Sequence, residues 1–381
     1  MAKQAPGVRL LRTLTRAAKT QQTTLRKLLV GYATPPKKRA RKSPSAQTHA
    51  QSPSNSSRRA QRSIQPAPGL WLAGRSPLPI SPGQALVEYM QYWLYLPKNV
   101  RDNAAQEGWP LIVMLHGCQQ SATEFAEGTR MNQLAEEKGY AVLYPQQLVK
   151  LQGQRCWRWY DRSVQQGAGE TLALAALIRS VCEQHTIDRR RIYACGLSAG
   201  AGMAAVLALN HPELIAAVGM HSGPVFGAGH TPMGALHVMR HGAPAQADGA
   251  IPGVLQRRAA NASPGAPEPM PAMPAVLIQG DDDQVVRPIN QQHLTRQWLQ
   301  LNGVPEGSTA RVTVKPAGRG GKRNAHEIQD YLVRRKLLLR VVRIAGLGHA
   351  WSGGAPDLRF NAEAGPEASR MMLAFFGRHR R

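Results

Sequence analysis

The stretch Arg191-Ile192-Tyr193-Ala194-Cys195-Gly196-Leu197-Ser198-Ala199-Gly200 decides the fold of this chain. An apolar run ends at Cys195, a serine follows between two glycines, and small apolar residues then continue as far as Asn210. Glycines two positions before and after Ser198 allow a sharp turn without backbone clashes. The stretch therefore predicts a strand, a strained turn that presents a nucleophilic serine, and a closely packed helix.

Short β-like and helical segments alternate on both sides of this turn. The β-like apolar runs lie at 92–96, 111–115, 140–144, 191–195, 215–220, 275–279 and 338–344. Strands that alternate with helices favour a parallel sheet with both faces covered. We expect an α/β fold over residues 70–381, with a mainly parallel sheet and helices on both faces.

Positive charge is concentrated on the N-terminal side of this α/β region. The net charge is +25, yet the residues before Glu88 include 16 Lys or Arg and no acid, which leaves +9 for the rest. Residues 1–69 are expected to form a basic, mostly disordered tail. Leucines at helical spacing within 11–28 favour an amphipathic helix on an anionic or apolar surface. The basic cluster at 37–42 lacks interleaved aromatic residues, so no specific nucleic-acid partner is expected.

Targeting signals and cysteines leave the compartment open. No run of 18 apolar residues exists, so no integral membrane protein is expected. No cleavable signal peptide is visible at the N-terminus. The four cysteines lack C-x-x-C spacing, which argues against a metal site and against a disulfide framework. Neither a metal nor a cofactor is predicted.

Two segments interrupt the alternation. Residues 224–274 are rich in Pro, Ala and Gly, and we expect them to form a cap or lid over the site. Residues 302–335 are polar and basic, as expected for an insertion of hairpin or loop character.

A serine nucleophile needs a base, and the base needs an orienting acid. In hydrolases built on such a turn, the acid and then the histidine follow the serine. Asp283 has the best spacing after the apolar run 275–279, and Asp281 is the alternative; both acids could also merely cap a turn. His349 follows the last strand-like run behind a glycine-rich loop. We therefore predict Ser198, His349 and Asp283 as the catalytic residues.

Backbone N–H groups are expected to hold the developing oxyanion. One is that of Ala199, at the start of the helix after the turn. The second lies in the loop 116–120, with Cys118 preferred and Gln119 as the fallback. His116 in the same loop is interpreted as a packed, loop-forming residue.

The ordered set of motifs resembles the poly(3-hydroxybutyrate) depolymerase family of esterases, over about 94–376. The resemblance rests on segments 116–120, 128–132, 156–159, 196–200, 280–283 and 346–354. It implies an α/β-hydrolase fold, a Ser/Asp/His triad without a cofactor, and hydrolysis of short-chain polyhydroxyalkanoates or their oligomers. Related members cleave feruloyl or acetyl esters of plant polysaccharides. Ala201 replaces a common third glycine, and Gln279 a common histidine.

The resemblance also suggests roles outside the triad. A disulfide between Cys118 and Cys156 is a hypothesis, since both belong to family motifs. Trp157, Trp351 and Gln119 are candidate substrate-binding residues, although the tryptophans are equally interpretable as core. Many relatives are secreted, which favours an extracellular location; cytoplasmic or granule-associated locations stay open. The alternative to an enzyme is a non-catalytic protein that binds polyester granules or nucleic acid through the tail.

Overall fold

A ten-stranded sheet lies at the centre of the computed structural model, which describes residues 67–78, 88–98, 107–148, 153–244, 249–260, 272–305 and 307–381. The strands are β1 (Leu70–Pro77), β2 (Tyr89–Leu96), β3 (Trp109–Leu115), β4 (Ala141–Pro145), β5 (Ile187–Leu197), β6 (Ala217–His221), β7 (Ala275–Gly280), β8 (Arg311–Lys315), β9 (His326–Val333) and β10 (Lys336–Ile344). Their order across the sheet is β1-β2-β4-β3-β5-β6-β7-β10-β9-β8.

The centre of the sheet is parallel and both edges are antiparallel. Strands β4, β3, β5, β6, β7 and β10 are parallel neighbours. Strands β1 and β2 extend one edge, and β9 and β8 the other, in antiparallel pairs. The central strands read as continuous apolar runs because helices cover both of their faces. Parallel strands place their carboxyl ends at one edge, and the loops there carry the candidate site.

Helices cover the two faces of the sheet. They are α1 (Ala122–Thr129), α2 (Met131–Lys138), α3 (Arg162–Gln165), α4 (Glu170–Gln184), α5 (Ala199–Asn210), α6 (Pro232–His241), α7 (Ala250–Ala260), α8 (Ile289–Leu301) and α9 (Ala368–Phe376). Helices α1, α2 and α9 share one apolar core with the sheet, and α4 to α8 share the other. The predicted fold class is thereby confirmed. None of the described helices combines the length and apolar character needed to span a bilayer.

The described part of segment 224–274 packs against α5 and α8. Val238 of α6 and Ile251 and Val254 of α7 are buried in the core shared with α5 and α8. The Arg258 side chain donates to the carbonyl of Leu209 at 2.7 Å, which caps the end of α5. The described part of this segment therefore contributes to the core beside α5 and α8, and the expected cap or lid stays a prediction. Residues 245–248 and 261–271 lie outside the described residues.

Segment 302–335 contributes two strands to the sheet. Strand β9 pairs with β10, and β8 pairs with β9. Asp330 fixes this extension, since its carboxylate accepts from Arg340 at 2.7 Å and from Arg311 at 3.1 Å. The predicted basic tail at 1–69 lies almost entirely outside the described residues, which begin at 67.

Candidate active site

Ser198 stands in the strained turn between β5 and α5. Its backbone has φ 57° and ψ −121°, a conformation that costs a non-glycine residue about 1–3 kcal/mol. Its N–H donates to the His221 carbonyl at 3.0 Å. A side chain at either Gly196 or Gly200 would clash with the Leu115 carbonyl. The two glycines therefore let the turn approach β3 closely enough to hold the serine in this conformation.

His349 and Asp283 meet at the carboxyl edge of the sheet. The His349 Nδ1 lies 2.8 Å from Asp283 Oδ2. Asp283 is fully buried, and the His349 side chain is only 9% exposed. A histidine that donates through Nδ1 keeps Nε2 available as a base. His349 and Ser198 border the same pocket, and within the described part of the chain their side chains form no hydrogen bond with each other.

Several donors surround the Asp283 carboxylate. Its Oδ1 accepts from the N–H groups of Val285 and Val286, each at 2.9 Å. Its Oδ2 accepts from Gln279 Nε2 at 3.1 Å. Burial by itself raises the pKa of Asp283, but the charge and hydrogen bond of His349, with these other donors, outweigh burial and lower that pKa. The carboxylate is therefore ionised at neutral pH and held in one orientation.

Asp281, the alternative acid, has a different position. Its Oδ1 accepts from the N–H of Gly346 at 2.7 Å, and its own N–H donates to the Ile344 carbonyl at 3.0 Å. Both bonds join the turn after β7 to the loop that carries His349. Asp281 thus tethers the loop, whereas Asp283 contacts the imidazole.

A second histidine lies behind the acid, and sequence reasoning missed it. His221 Nε2 accepts from the Ser352 N–H at 3.3 Å, so Nδ1 carries the proton and donates to Ser222 Oγ at 3.2 Å. The Ser222 hydroxyl in turn hydrogen-bonds to the Asp283 carboxylate. Burial lowers the pKa of His221 to about 3. The neutral His221 and Ser222 therefore hold the Asp283 carboxylate in position. In the sequence, the signal for these two residues was their place at the end of the apolar run of β6.

The loop 116–120 contains a backbone N–H group that forms no hydrogen bond within the described residues. The Gly117 N–H donates to Gln120 Oε1 at 2.9 Å, and the Gln119 N–H donates to the Gln154 carbonyl at 2.7 Å. Among the described residues, the Cys118 N–H has no acceptor. Gln119, the fallback oxyanion donor, is therefore excluded by its bond to Gln154, and Cys118 is the better candidate.

Other contacts fix the position of Cys118. A disulfide joins Cys118 to Cys156, as the sequence hypothesis proposed. The Ala199 N–H is free of intrahelical acceptors because it is the first residue of α5. Cys118 lines the pocket that contains Ser198, and Ala199 follows the serine directly.

His116 supports the same loop from within. It is fully buried, its Nε2 accepts from the Gln147 N–H at 3.1 Å, and its Nδ1–H donates to the Gly117 carbonyl at 2.8 Å. Burial lowers its pKa to about 4. These contacts agree with the interpretation of His116 as a packed, loop-forming residue.

The pocket itself is small, with a volume of about 10 Å³, room for about one water-sized molecule. It is lined by Gly117, Cys118, Gln119, Gln120, Leu197, Ser198, His349 and Phe360. Trp157 and Trp351, predicted as substrate-binding candidates, are fully buried and do not line it. Trp157 donates to the His116 carbonyl at 3.1 Å, and Trp351 donates to Ser369 Oγ at 3.0 Å. Both are core residues because their ring N–H groups are satisfied inside the protein; Gln119 does line the pocket.

Among the described residues, no group of three or more His, Cys, Asp or Glu side chains is arranged to hold a metal ion.

The fold is shared with solved structures. The acetyl xylan esterase from Aspergillus awamori superposes with a TM-score of 0.56 at 17% identity, over 76% of this chain and 94% of that one. At this identity the likeness is one of fold.

Sequence relatives include three kinds of esterase. Poly(3-hydroxyalkanoate) depolymerase C of Paucimonas lemoignei is 27% identical over 59% of this chain and 51% of its own length. Feruloyl esterase B of Thermothelomyces thermophilus is 27% identical over 56% of this chain and 71% of its own length. Acetylxylan esterase A of Talaromyces purpureogenus is 25% identical over 55% of this chain and 53% of its own length. The chain thus spans about half the length of several relatives it matches.

A family model covers the greater part of the sheet. The model described as esterase PHB depolymerase matches residues 90–319, from β2 to the loop after β8. That range contains the strained turn, the Cys118 loop and the Asp283 turn. This chain belongs to the esterase PHB depolymerase family.

Proposed function

We propose that this chain is a serine esterase that hydrolyses short-chain polyhydroxyalkanoate, or its oligomers, through Ser198, His349 and Asp283. One observation carries the proposal. A serine in a strained strand-to-helix turn borders the same small pocket as a histidine whose Nδ1 is held by a buried carboxylate. Acyl transfer through a serine uses a histidine base that a carboxylate holds in this way.

In the first step, Ser198 Oγ attacks the carbonyl carbon of the ester while His349 Nε2 accepts the hydroxyl proton. The carbonyl oxygen becomes an oxyanion, which the N–H groups of Ala199 and Cys118 stabilise. The intermediate then collapses and breaks the bond to the alcohol. His349 returns its proton to the departing alkoxide, and an acyl group remains on Ser198.

In the second step, a water molecule attacks the acyl-enzyme. His349 accepts a proton from the water, and a second oxyanion forms in the same place. Collapse releases the carboxylic acid and returns the proton to Ser198. Asp283 stays ionised throughout, because it stabilises the imidazolium rather than accepting its proton.

The substrate assignment rests on sequence relatives. Relatives named as depolymerases of poly(3-hydroxyalkanoate) match this chain, which supports that substrate class. The second candidate is an acetylxylan-type esterase, favoured by the relatives of that name.

Substitution of the serine tests the catalytic part. Ser198→Ala should reduce the hydrolysis of p-nitrophenyl butyrate by at least about 10³-fold, with unchanged circular dichroism. The matched control is Ser163→Ala, at an exposed serine in α3 outside the pocket lining. Retained activity in Ser198→Ala would reject the nucleophile.

A comparison of substrates tests the specificity. Clearing of a poly(3-hydroxybutyrate) film, together with slow release of ferulate and of acetate from xylan, is expected. Faster deacetylation of xylan than release of hydroxybutyrate would favour the second candidate.

We also propose that the basic tail attaches the enzyme to anionic or granule surfaces. The 15 Lys and Arg residues within 1–69 support this, because positive charge attracts such surfaces. In the full chain, glutamine in place of the basic residues at 37–42 should weaken sedimentation with polyester granules and leave hydrolysis of p-nitrophenyl butyrate intact. Loss of binding and catalysis together would reject a separate targeting role.

A further inference from the structure

Two polar side chains meet at the mouth of the pocket. Arg359 Nη2 donates to Gln119 Oε1 at 3.2 Å, although 240 residues separate them in sequence. The Arg359 guanidinium also lies 5.0 Å from the centre of the Phe360 ring. Gln119 and Phe360 both line the pocket that contains Ser198 and His349. The guanidinium thus contacts two residues that line the pocket of Ser198 and His349.

Both side chains have unused hydrogen-bond donors. Gln119 Nε2 is buried and has no hydrogen-bond partner among the described residues. Arg359 is exposed and forms no ion pair within the described part of the chain. A buried amide without a partner is unfavourable, and a guanidinium has five N–H donors, of which one is used here. An acceptor supplied by a ligand would satisfy both groups.

Hydrogen bonds within the protein hold the backbone of the loop that carries Arg359, before any ligand binds. The Phe360 carbonyl accepts from the Trp351 N–H at 2.8 Å, and Asn361 Nδ2 donates to the Arg359 carbonyl at 2.9 Å. Phe360 itself has φ 61°, a conformation maintained by these bonds. A donor pair whose backbone is already held loses less entropy when it binds a ligand.

We infer that Arg359 and Gln119 bind the terminal carboxylate of the substrate. The inference rests on the proposed function and narrows its substrate class to hydroxyalkanoate oligomers with a free acid end. A guanidinium binds a carboxylate through an ion pair that is often bidentate, whereas a neutral ester or a sugar hydroxyl offers no opposite charge. Because Arg359 lies at the mouth of the Ser198 pocket, the ester bond cleaved is one close to the acid end.

The test compares two forms of one substrate. The dimer and trimer of 3-hydroxybutyrate are prepared with a free carboxylate and as methyl esters, and kcat/KM is measured for each. We expect the wild-type enzyme to prefer the acid form, and the preference to decrease with added salt, since salt screens exposed charges. In Arg359→Gln the ratio of kcat/KM for the acid form to that for the methyl ester should fall about tenfold or more.

Two further variants sharpen the test. Gln119→Glu places a negative charge beside Arg359 and should lower the same ratio. Arg335→Gln removes one charge from the exposed turn between β9 and β10, at the opposite end of β10 from the site, and should leave the ratio unchanged.

An equal loss for the acid form and the methyl ester in Arg359→Gln would overturn carboxylate recognition, as would a wild-type enzyme without preference. Both results leave the esterase assignment standing, because hydrolysis of the methyl ester still depends on Ser198. Absence of any Ser198-dependent hydrolysis would instead reject the proposed function and this inference with it.

Discussion

Gln279 Nε2 donates to Asp283 Oδ2 at 3.1 Å, and the same oxygen accepts the Nδ1–H of His349 at 2.8 Å. Gln279 is itself buried, and its Nε2 also contacts the Val286 carbonyl at 2.9 Å. The side chain therefore joins the acid to the turn that follows it. Because Gln279 contacts the acid and not the pocket, it acts as a positioning residue.

Gln279→Leu should lower kcat about tenfold and move the acidic limb of the pH–activity profile to higher pH. Loss of a hydrogen bond to the ionised form raises the pKa of the Asp283 carboxyl, and the more basic carboxylate stabilises the imidazolium, in which His349 no longer acts as a base. Ser222→Ala removes another donor and should move the limb in the same direction. Gln279→His, which retains an N–H donor, should recover part of the activity. A uniform loss of activity with an unmoved pH profile would contradict this role.

Asp283→Asn should reduce kcat by about 10³- to 10⁴-fold, because an amide does not hold the histidine in the required tautomer. Asp281→Asn should cost less than about tenfold, since Asp281 only tethers the loop through Gly346. Steady-state kinetics with p-nitrophenyl butyrate on both variants provides the measurement. Similar losses in the two variants would mean that the acid has been misassigned.

Cys156→Ser should reduce kcat more than it raises KM, by about tenfold to a hundredfold, because the Cys118 amide loses its covalent anchor. Loss of the disulfide, whose cysteines are 38 residues apart, should also lower the free energy of unfolding by about 2–4 kcal/mol. Cys182→Ser at a buried free thiol is the control for thiol removal. Kinetics on folded protein at a temperature below the transition separates the two effects; unchanged kcat would dismiss the anchoring role.

The free energy of unfolding should decrease as the pH falls from about 6.5 to 4. Burial lowers the pKa of His116 to about 4 and that of His221 to about 3. In this range the two histidines bind more protons in the unfolded chain than in the folded chain. A lower pH therefore reduces the free energy of unfolding, by a few kcal/mol in total at pH 4. Urea titrations at several pH values give the slope.

A histidine variant identifies the source of that slope. His116→Gln should flatten it, whereas His237→Gln, at an exposed position on α6, should leave it unchanged. Identical slopes in all three proteins would show that other groups set the acid sensitivity.

The sequence by itself determined the turn at Ser198, the alternation of strands and helices, and the order of serine, acid and histidine. These features depend on local requirements: glycines where backbones approach, apolar runs where strands are buried, and polar residues where strands end. They concern short segments, so neighbours along the chain suffice to define them. The roles of Ser198, Asp283 and His349 in catalysis stay a proposal.

Only the tertiary structure decided which groups meet. It joined the backbone N–H of Gln119 to the Gln154 carbonyl and placed His221 and Ser222 behind Asp283. It also brought the side chain of Arg359 into hydrogen-bond contact with that of Gln119. It buried the tryptophans predicted for a groove and packed helices α6 and α7 into the core. Such contacts join residues far apart in sequence, so they depend on strand register and helix packing, which no local pattern encodes.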